Sequence, residues 1–405
     1  MTPQTPAAPV APVAPEELVT RASALVPAFM ARQLQTEADR RVPQISIDEC
    51  IRAGLYKSQQ PARYGGYEHD LDCFAELAAM VASGCGSTGW VFSVSAQHQW
   101  LIGMYHPDAQ DEIWGDDPTA ISASSFSPSG RAIPVEGGYR LTGKWMYCSG
   151  ILNCGWIILG TRVAETVDGD PIDQGYMLVA TGDLDIEDNW HVAGLAGTGS
   201  MNASCDDLFV PARRFLRLED ALSGSPPGAA VNTGPLWRIP FYSGVSVCLA
   251  AATIGMAMGA YREFVGGTRE RVTRGAALSQ PVPMAELPTI QIRVGEAASC
   301  IDAAQLLVAR DCRDIMATMR AGDALTLDQR ARNKGNLGFA QRLAIRAIDR
   351  MFEASGGGGL FAASPVQRFW RDAHAGGMHI STNRDIVGVI QGRVAMGLPP
   401  GTPQL

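Results

Sequence analysis

The chain lacks several features that would direct a reading elsewhere. Its nine cysteines, scattered from Cys50 to Cys312, contain no C-x-x-C pair. Neither a disulfide framework nor a zinc site is expected, and the pattern suits a reducing cytoplasm. There is no dense Lys/Arg run and the net charge is −8, which argues against a nucleic-acid surface. No G-x-G-x-x-G follows a strand-like run, so no NAD(P)H site is expected. The run Gly356 to Gly359 has no Lys-Ser/Thr after it and is not a P-loop. The opening residues MTPQTPAAPVAPVAP have neither a positive n-region nor an apolar h-region, and read as a disordered or extended tail over residues 1–15. One long uncharged run exists, 18 residues from Ser243 to Ala260. It is mostly Ala, Gly, Ser and Thr without basic flanks, the composition of a closely packed buried helix rather than a membrane span. A soluble protein with no membrane and no nucleic-acid partner is expected.

What is present is ordinary globular material: 405 residues, 46% hydrophobic and 18% charged, enough for two or three domains. Residues 16–118 read as helical, with Leu71, Phe74, Leu77 and Ala78 on one helix face. From 119 to 216 the texture changes to short strand-like runs such as Trp156 to Leu159, Gly175 to Ala180 and Asp207 to Val210, broken by Gly, Asp and Pro. Residues 217–240, rich in Gly and Pro, read as a long connection. Helices return over 241–398, where Ile290, Val294, Ala297, Ile301, Ala304 and Val308 form one stripe and Leu337, Ala340, Leu343, Ala347 and Met351 another. Several long helices there predict an antiparallel bundle, followed by a tail at 399–405.

The most informative stretch is Ser122 to Gly160. A serine-rich loop (Ser122 to Gly130), a Gly-Gly turn into an alternating strand and Trp145 leading to Ser149-Gly150 follow one another. Strands that deliver small hydroxyls and aromatics into loops can hold a planar, heteroatom-rich ligand; an ordinary hairpin is the alternative.

Several segments in this order resemble the acyl-CoA dehydrogenase superfamily: Tyr64-Gly65-Gly66, Gly143-Lys144-Trp145-Met146-Tyr147-Cys148-Ser149, GLAGTGS from Gly194 to Ser200, Asp206-Asp207-Leu208-Phe209-Val210-Pro211, and Arg371-Asp372. The resemblance spans roughly residues 16 to 398. It implies an α+β fold with an N-terminal helical domain, a central β-barrel-like domain and a C-terminal four-helix bundle, assembled as a homotetramer with flavin bound between domains and subunits. Two departures separate this chain from the dehydrogenases. The stretch Arg371 to Thr382 contains no glutamate to act as base on a thioester, and His379 stands in that region. Ser125-Phe126-Ser127-Pro128 replaces the dehydrogenases' Thr-Glu-Pro. With Gly86-Ser87-Thr88-Gly89-Trp90, these departures resemble the oxygenase components of two-component flavin-dependent monooxygenases. That resemblance implies reduced flavin (FMNH2 or FADH2) and O2, a C4a-hydroperoxide, a separate NAD(P)H-dependent flavin reductase and an aromatic, phenolic substrate. An acyl-CoA dehydrogenase with bound FAD, or a flavin-binding protein without chemistry, are the competing readings.

The resemblance also distributes roles. Ser149 stands where the family approaches flavin N5, with Trp145 and Tyr147 as apolar wall and Ser125 toward the pyrimidine edge. Thr198 and Ser200 are candidates for the ribityl-phosphate, or simply an ordinary turn. Arg274 falls where relatives reach the flavin phosphate from a neighbouring subunit, and Arg271 is equally placed for it. His379 is the candidate to take a phenol proton, since a histidine pKa near 6.5 suits neutral pH. His98 is a weaker candidate on a helix near the pocket, with Trp237 and Phe241 as further substrate-lining residues. His374 and His379 lie five apart, not the i, i+4 spacing of helical metal ligands, and no metal is expected.

Overall fold

Helices fill the chain as far as Trp114, strands dominate from Ser122 to Arg217, and helices return beyond Leu218. The computed structural model describes residues 13–273, 280–402 and 405. The fold is mixed α and β with a helical C-terminal part.

The first helical part comprises α1 (Pro15–Ala31), α2 (Gln33–Ala38), α3 (Gln44–Arg52), α4 (Leu71–Ala82), α5 (Gly86–Ile102) and α6 (Pro107–Trp114). α4 buries Leu71, Phe74, Leu77 and Ala78, the face that its spacing predicts. α5 is different: almost every residue from Gly86 to Ile102 is buried, hydroxyls and amides included. A helix enclosed all round must satisfy its polar groups internally, and here Gln97 donates to Gly244 O and Trp100 to Leu236 O.

The strands are β1 (Ser122–Val135), β2 (Gly138–Cys148), β3 (Trp156–Val163), β4 (Asp173–Ala180), β5 (Asp185–Glu187), β6 (Met201–Pro211) and β7 (Phe215–Arg217). They form one sheet in the order β5-β6-β2-β1-β3-β4-β7. β1 and β2 make a hairpin through Gly137, held at φ +76°, while β1 and β3 run parallel. Two irregularities matter. β1 slips register against β3 between Ser125 and Gly130, and β2 slips against β6 between Trp145 and Cys148. Bulges of this kind re-aim side chains.

The expected loop at 217–240 carries structure of its own: α7 (Leu218–Leu222) and two single-turn segments, the second of which buries Leu236 and Trp237. Then come α8 (Phe241–Gly244), α9 (Val247–Thr268), the short ribbon β8 (Val272–Thr273) with β9 (Val282–Pro283), and α10 (Pro288–Ala321), α11 (Leu327–Ser355), α12 (Pro365–Gly376) and α13 (Arg384–Ala395). The segment from Phe241 to Thr268 holds an 18-residue stretch with the hydropathy of a membrane span, but 83% of that stretch is buried inside the protein. Its glycines explain the packing. A Cβ at Gly255 would collide with Ala79 O of α4, and one at Gly259 with Ser83 O and the Phe369 ring. Small residues let α9 approach α4 and α12 closely.

A charged staple ties three distant pieces together. Glu37 of α2 pairs with Arg368 at 2.8 Å and Arg371 at 2.6 Å on α12. Arg371 also donates to Ala193 O at 2.7 Å, and Asp372 accepts from Leu195 N at 2.6 Å. α12 therefore fixes the turn that precedes β6.

Candidate active site

Where β2 ends, the backbone abandons the sheet. Tyr147 takes a left-handed conformation at φ +62° and Gly150 another at +74°, and opposite them Leu195 (+56°) and Gly199 (+51°) do the same. Left-handed geometry at Tyr and Leu costs about 1–3 kcal/mol each, and persists only where the surroundings enforce it. Here they do. Gly150 N donates to Thr198 O at 2.9 Å, and Leu195 N is held by the buried Asp372 carboxylate. Burial pushes the Asp372 pKa up to about 6, against the Leu195 N–H bond and the nearby Arg371 charge.

This crossing brings together three residues singled out in the sequence. Ser149 Oγ lies 2.7 Å from Ser200 Oγ, Ser200 Oγ lies 2.6 Å from Thr198 Oγ1, and Thr198 Oγ1 donates to Leu195 O at 2.8 Å. The hydroxyls of Thr198 and Ser200 are thus engaged behind Ser149 and not free for a phosphate. Ser125 Oγ donates to Met146 O at 2.8 Å, pinning the β1 bulge to β2.

Trp145 corrects an expectation. It is fully buried and donates its indole N–H to Gly160 O at 2.8 Å. Gly130 and Gly143 lie so close to its ring that neither could carry a Cβ. Trp145 is sheet core, not ligand wall. Strand alternation would put Tyr147 on the same side, but its left-handed turn sends it outward, where it is 65% exposed. Its ring meets Trp190 edge-on at 6.0 Å. Trp190, which sequence reasoning missed, donates to Leu195 O at 2.9 Å. Its only signal was an isolated aromatic in an Asp-rich loop. Met146, Tyr147 and Trp190 form an open apolar shelf beside Ser149.

A second station lies along α5. His98 is buried, with Nδ1 2.7 Å from Ser122 O. A carbonyl can only accept, so Nδ1 carries the proton and Nε2 is a bare lone pair. Burial pushes the His98 pKa down to about 4, the bond to Ser122 opposing it. Beside the ring stands Phe126 at 5.8 Å, itself 5.4 Å from Tyr176 and 5.2 Å from Phe241. Phe241, expected to line the substrate, is as buried as Tyr176, and the three rings pack on one another. Trp237, given the same role, is fully buried against Gly103, and its Nε1 finds no partner among the described residues.

His379 packs 6.3 Å from Trp90, also on α5, and its Nδ1 accepts from Ser381 N at 3.2 Å. Protein atoms crowd it and push its pKa down to about 4. The residue is nevertheless exposed, and water reaching the ring weakens that push. The direction stands: the imidazole is neutral at neutral pH. Trp90 and His98 are eight residues apart, about 12 Å along the helix, so α5 links the two histidine positions.

Residues 247–384 match the acyl-CoA dehydrogenase C-terminal domain family. Over the whole chain the similarity is more specific. The FADH(2)-dependent resorcinol hydroxylase oxygenase component of Rhizobium sp. (strain MTP-10005) is 37% identical over 388 residues, 95% of each chain. The chain belongs to the oxygenase components of flavin-dependent monooxygenases. Another relative is the flavin-dependent monooxygenase oxygenase subunit HsaA of Mycobacterium tuberculosis (strain ATCC 25618 / H37Rv), 37% identical over 93% of this chain and 94% of its own. The crystal structure of the HsaA monooxygenase from M. tuberculosis superimposes with a TM-score of 0.90 at 35% identity, covering 97% of this chain and 100% of that one. XiaF from Streptomyces sp., solved with FADH2 and glycerol, gives 0.88 at 31% identity over 96% and 98%.

This oxygenase component fits a flavin on its own geometry. The exposed Tyr147 ring, met edge-on by Trp190, lies near a hydroxyl already engaged with Ser200, so apolar surface adjoins a polar edge as an isoalloxazine requires. For the phosphate the assignment is partial. Arg274 lies outside the described residues. Arg271 donates to Ser355 O at 2.9 Å and lies against Gly358, beside a glycine turn open enough for close backbone approach.

Proposed function

We propose that this oxygenase component hydroxylates an aromatic, phenolic small molecule with dioxygen, using FMNH2 or FADH2 supplied by a separate NAD(P)H-dependent flavin reductase. The observation that carries the reading is His98: a buried imidazole in a fixed tautomer, its bare Nε2 unpartnered among the described residues, with the Phe126 ring beside it. Such a nitrogen accepts the hydrogen of a phenolic O–H, and Phe126, backed by Tyr176 and Phe241, gives an aromatic guest a ring to pack on. Drawing that proton raises electron density on the guest's ring, which favours attack by an electrophilic oxygen. His379, which the resemblance puts forward to take the phenol proton, is set against Trp90 at the other end of α5; with Nδ1 accepting from Ser381 N, its neutral ring presents Nε2–H as a donor. When bound, reduced flavin supplies the activation of oxygen. Ser149 meets its N5 edge, and the shelf of Tyr147 and Trp190 keeps water from one face.

The finer architecture belongs to the same proposal: an N-terminal helical domain over 16–118, a β-barrel-like domain over 119–216 and a four-helix bundle within 241–398, associating as a homotetramer. Nine cysteines, all free and eight of them buried, suit a cytoplasmic enzyme. The test is direct. Purified protein, anaerobically reduced FMN or FAD, air-saturated buffer and a panel of phenols should give hydroxylated product with matching oxygen uptake. Flavin reoxidation without oxygenated product from any phenol would overturn the proposal.

A further inference from the structure

The three hydroxyls behind the flavin edge can be counted proton by proton. Leu195 O ends the chain and, being a carbonyl, has no hydrogen to give. It already receives Thr198 N at 3.1 Å and the Trp190 indole at 2.9 Å as well as Thr198 Oγ1. Thr198 therefore spends its single hydroxyl hydrogen on Leu195 O. The 2.6 Å contact between Thr198 and Ser200 must then be made with the hydrogen of Ser200, and the 2.7 Å contact between Ser200 and Ser149 with the hydrogen of Ser149. Three contacts consume three hydrogens, all running the same way. Ser149 has none left, and offers only lone pairs to anything beyond it.

We propose that Thr198 and Ser200 are positioning residues that fix Ser149 as a hydrogen-bond acceptor, so that the site selects reduced flavin over oxidised flavin. The two redox states differ at the atom concerned: N5 bears a hydrogen in the reduced ring and a bare lone pair in the oxidised one. A proton-ordered Ser149 accepts from the first and faces the second lone pair to lone pair. An isolated serine would rotate its hydroxyl and serve both. The end of the relay is itself held rigid, because Leu195 is clamped by Asp372 through its N–H and its strained backbone leaves it one conformation. The proposal rests on the assignment of Ser149 to flavin N5.

The experiment is an anaerobic titration of the full-length protein with reduced and with oxidised FAD and FMN, followed by fluorescence, with thermal unfolding to verify folding. In the wild type, the reduced form should bind more tightly. Thr198→Val removes the acceptor of the Ser200 hydrogen. Ser200 then turns to Ser149, which regains a donor, and the ratio of oxidised to reduced dissociation constants should shrink about tenfold. Ser200→Ala should do the same by freeing Ser149 directly, and Thr198→Ser should restore the wild-type ratio. A ratio unchanged within twofold in a folded Thr198→Val or Ser200→Ala protein overturns the relay alone, provided Ser149→Ala weakens reduced-flavin binding. If Ser149→Ala leaves binding of both forms unaltered, or the wild type binds neither, the underlying assignment falls and the relay with it.

Discussion

The hydroxyl chain at Ser149 and the imidazole at His98 are both buried polar stations, and they are built on opposite plans. Every hydrogen in the first is committed, from Ser149 through Ser200 and Thr198 to Leu195 O. In the second, one nitrogen is tied to Ser122 O and the other has no hydrogen-bond partner among the described residues, with the Phe126 ring beside it. A satisfied network is rigid and has a defined polarity; an acceptor left open beside an apolar ring gains when a ligand supplies a donor. The first plan suits a cofactor that must be held in one state, and the second a substrate that must come and go.

The comparison breaks hardest at His98. His98→Phe should lower turnover on a phenol by about 100-fold or more while flavin affinity stays within twofold, as steady-state rates and flavin titration would register. Comparable losses in both would mean the two stations are one.

Lys334 sharpens the contrast, because it is a buried cation that no ligand relieves in the proposed function. It is buried against the Tyr242 ring at 5.6 Å and makes no ion pair among the described residues. Desolvation pushes its pKa down to about 8 from 10.5. The unfolded chain binds the proton more tightly, so stability rises as pH climbs from about 8 to 10.5 and the penalty is fully present below 8. Lys334→Met should remove that slope and raise stability at pH 7 by on the order of 3 kcal/mol, read from denaturant unfolding. A loss of stability would show that the ammonium is satisfied.

Asp372 gives a smaller effect of opposite sense. Its folded pKa near 6 lies above the ordinary 3.8. The native state holds the proton more tightly, so stability contributed in acid is lost as pH rises from about 4 to 6. Asp372→Asn keeps an oxygen for Leu195 N and should flatten that slope, changing stability at pH 7 by about 2 kcal/mol or less. Smallest of all, Tyr147→Gly removes left-handed strain and should stabilise the fold by up to about 1 kcal/mol, yet weaken flavin binding by thinning the shelf. Unchanged flavin affinity would remove Tyr147 from the site.

The sequence shows the order of helices, strands and helices, the buried nature of α9, and the individual residues Ser149, Thr198 and Ser200. It does not show their mutual arrangement. Ser149 and Ser200 are 51 residues apart and meet only because two left-handed turns face each other and α12 holds one of them. Trp145 misleads for a related reason. Period-2 alternation groups it with Tyr147, and one residue of left-handed backbone undoes that grouping. The tautomer of His98 was equally hidden, since it depends on a carbonyl 24 residues away. Composition predicts which polar groups enter the site; only the backbone decides which of them are spent on each other.

The clamp between Asp372 and Leu195 spans 177 residues. A ribosome that has released the whole sheet has still not released the carboxylate that seats the turn before β6. The turn before β6, and with it the hydroxyl chain that ends at Ser149, therefore gains this clamp only once α12 has been made. Under the proposed function, the edge offered to reduced flavin is completed late in synthesis.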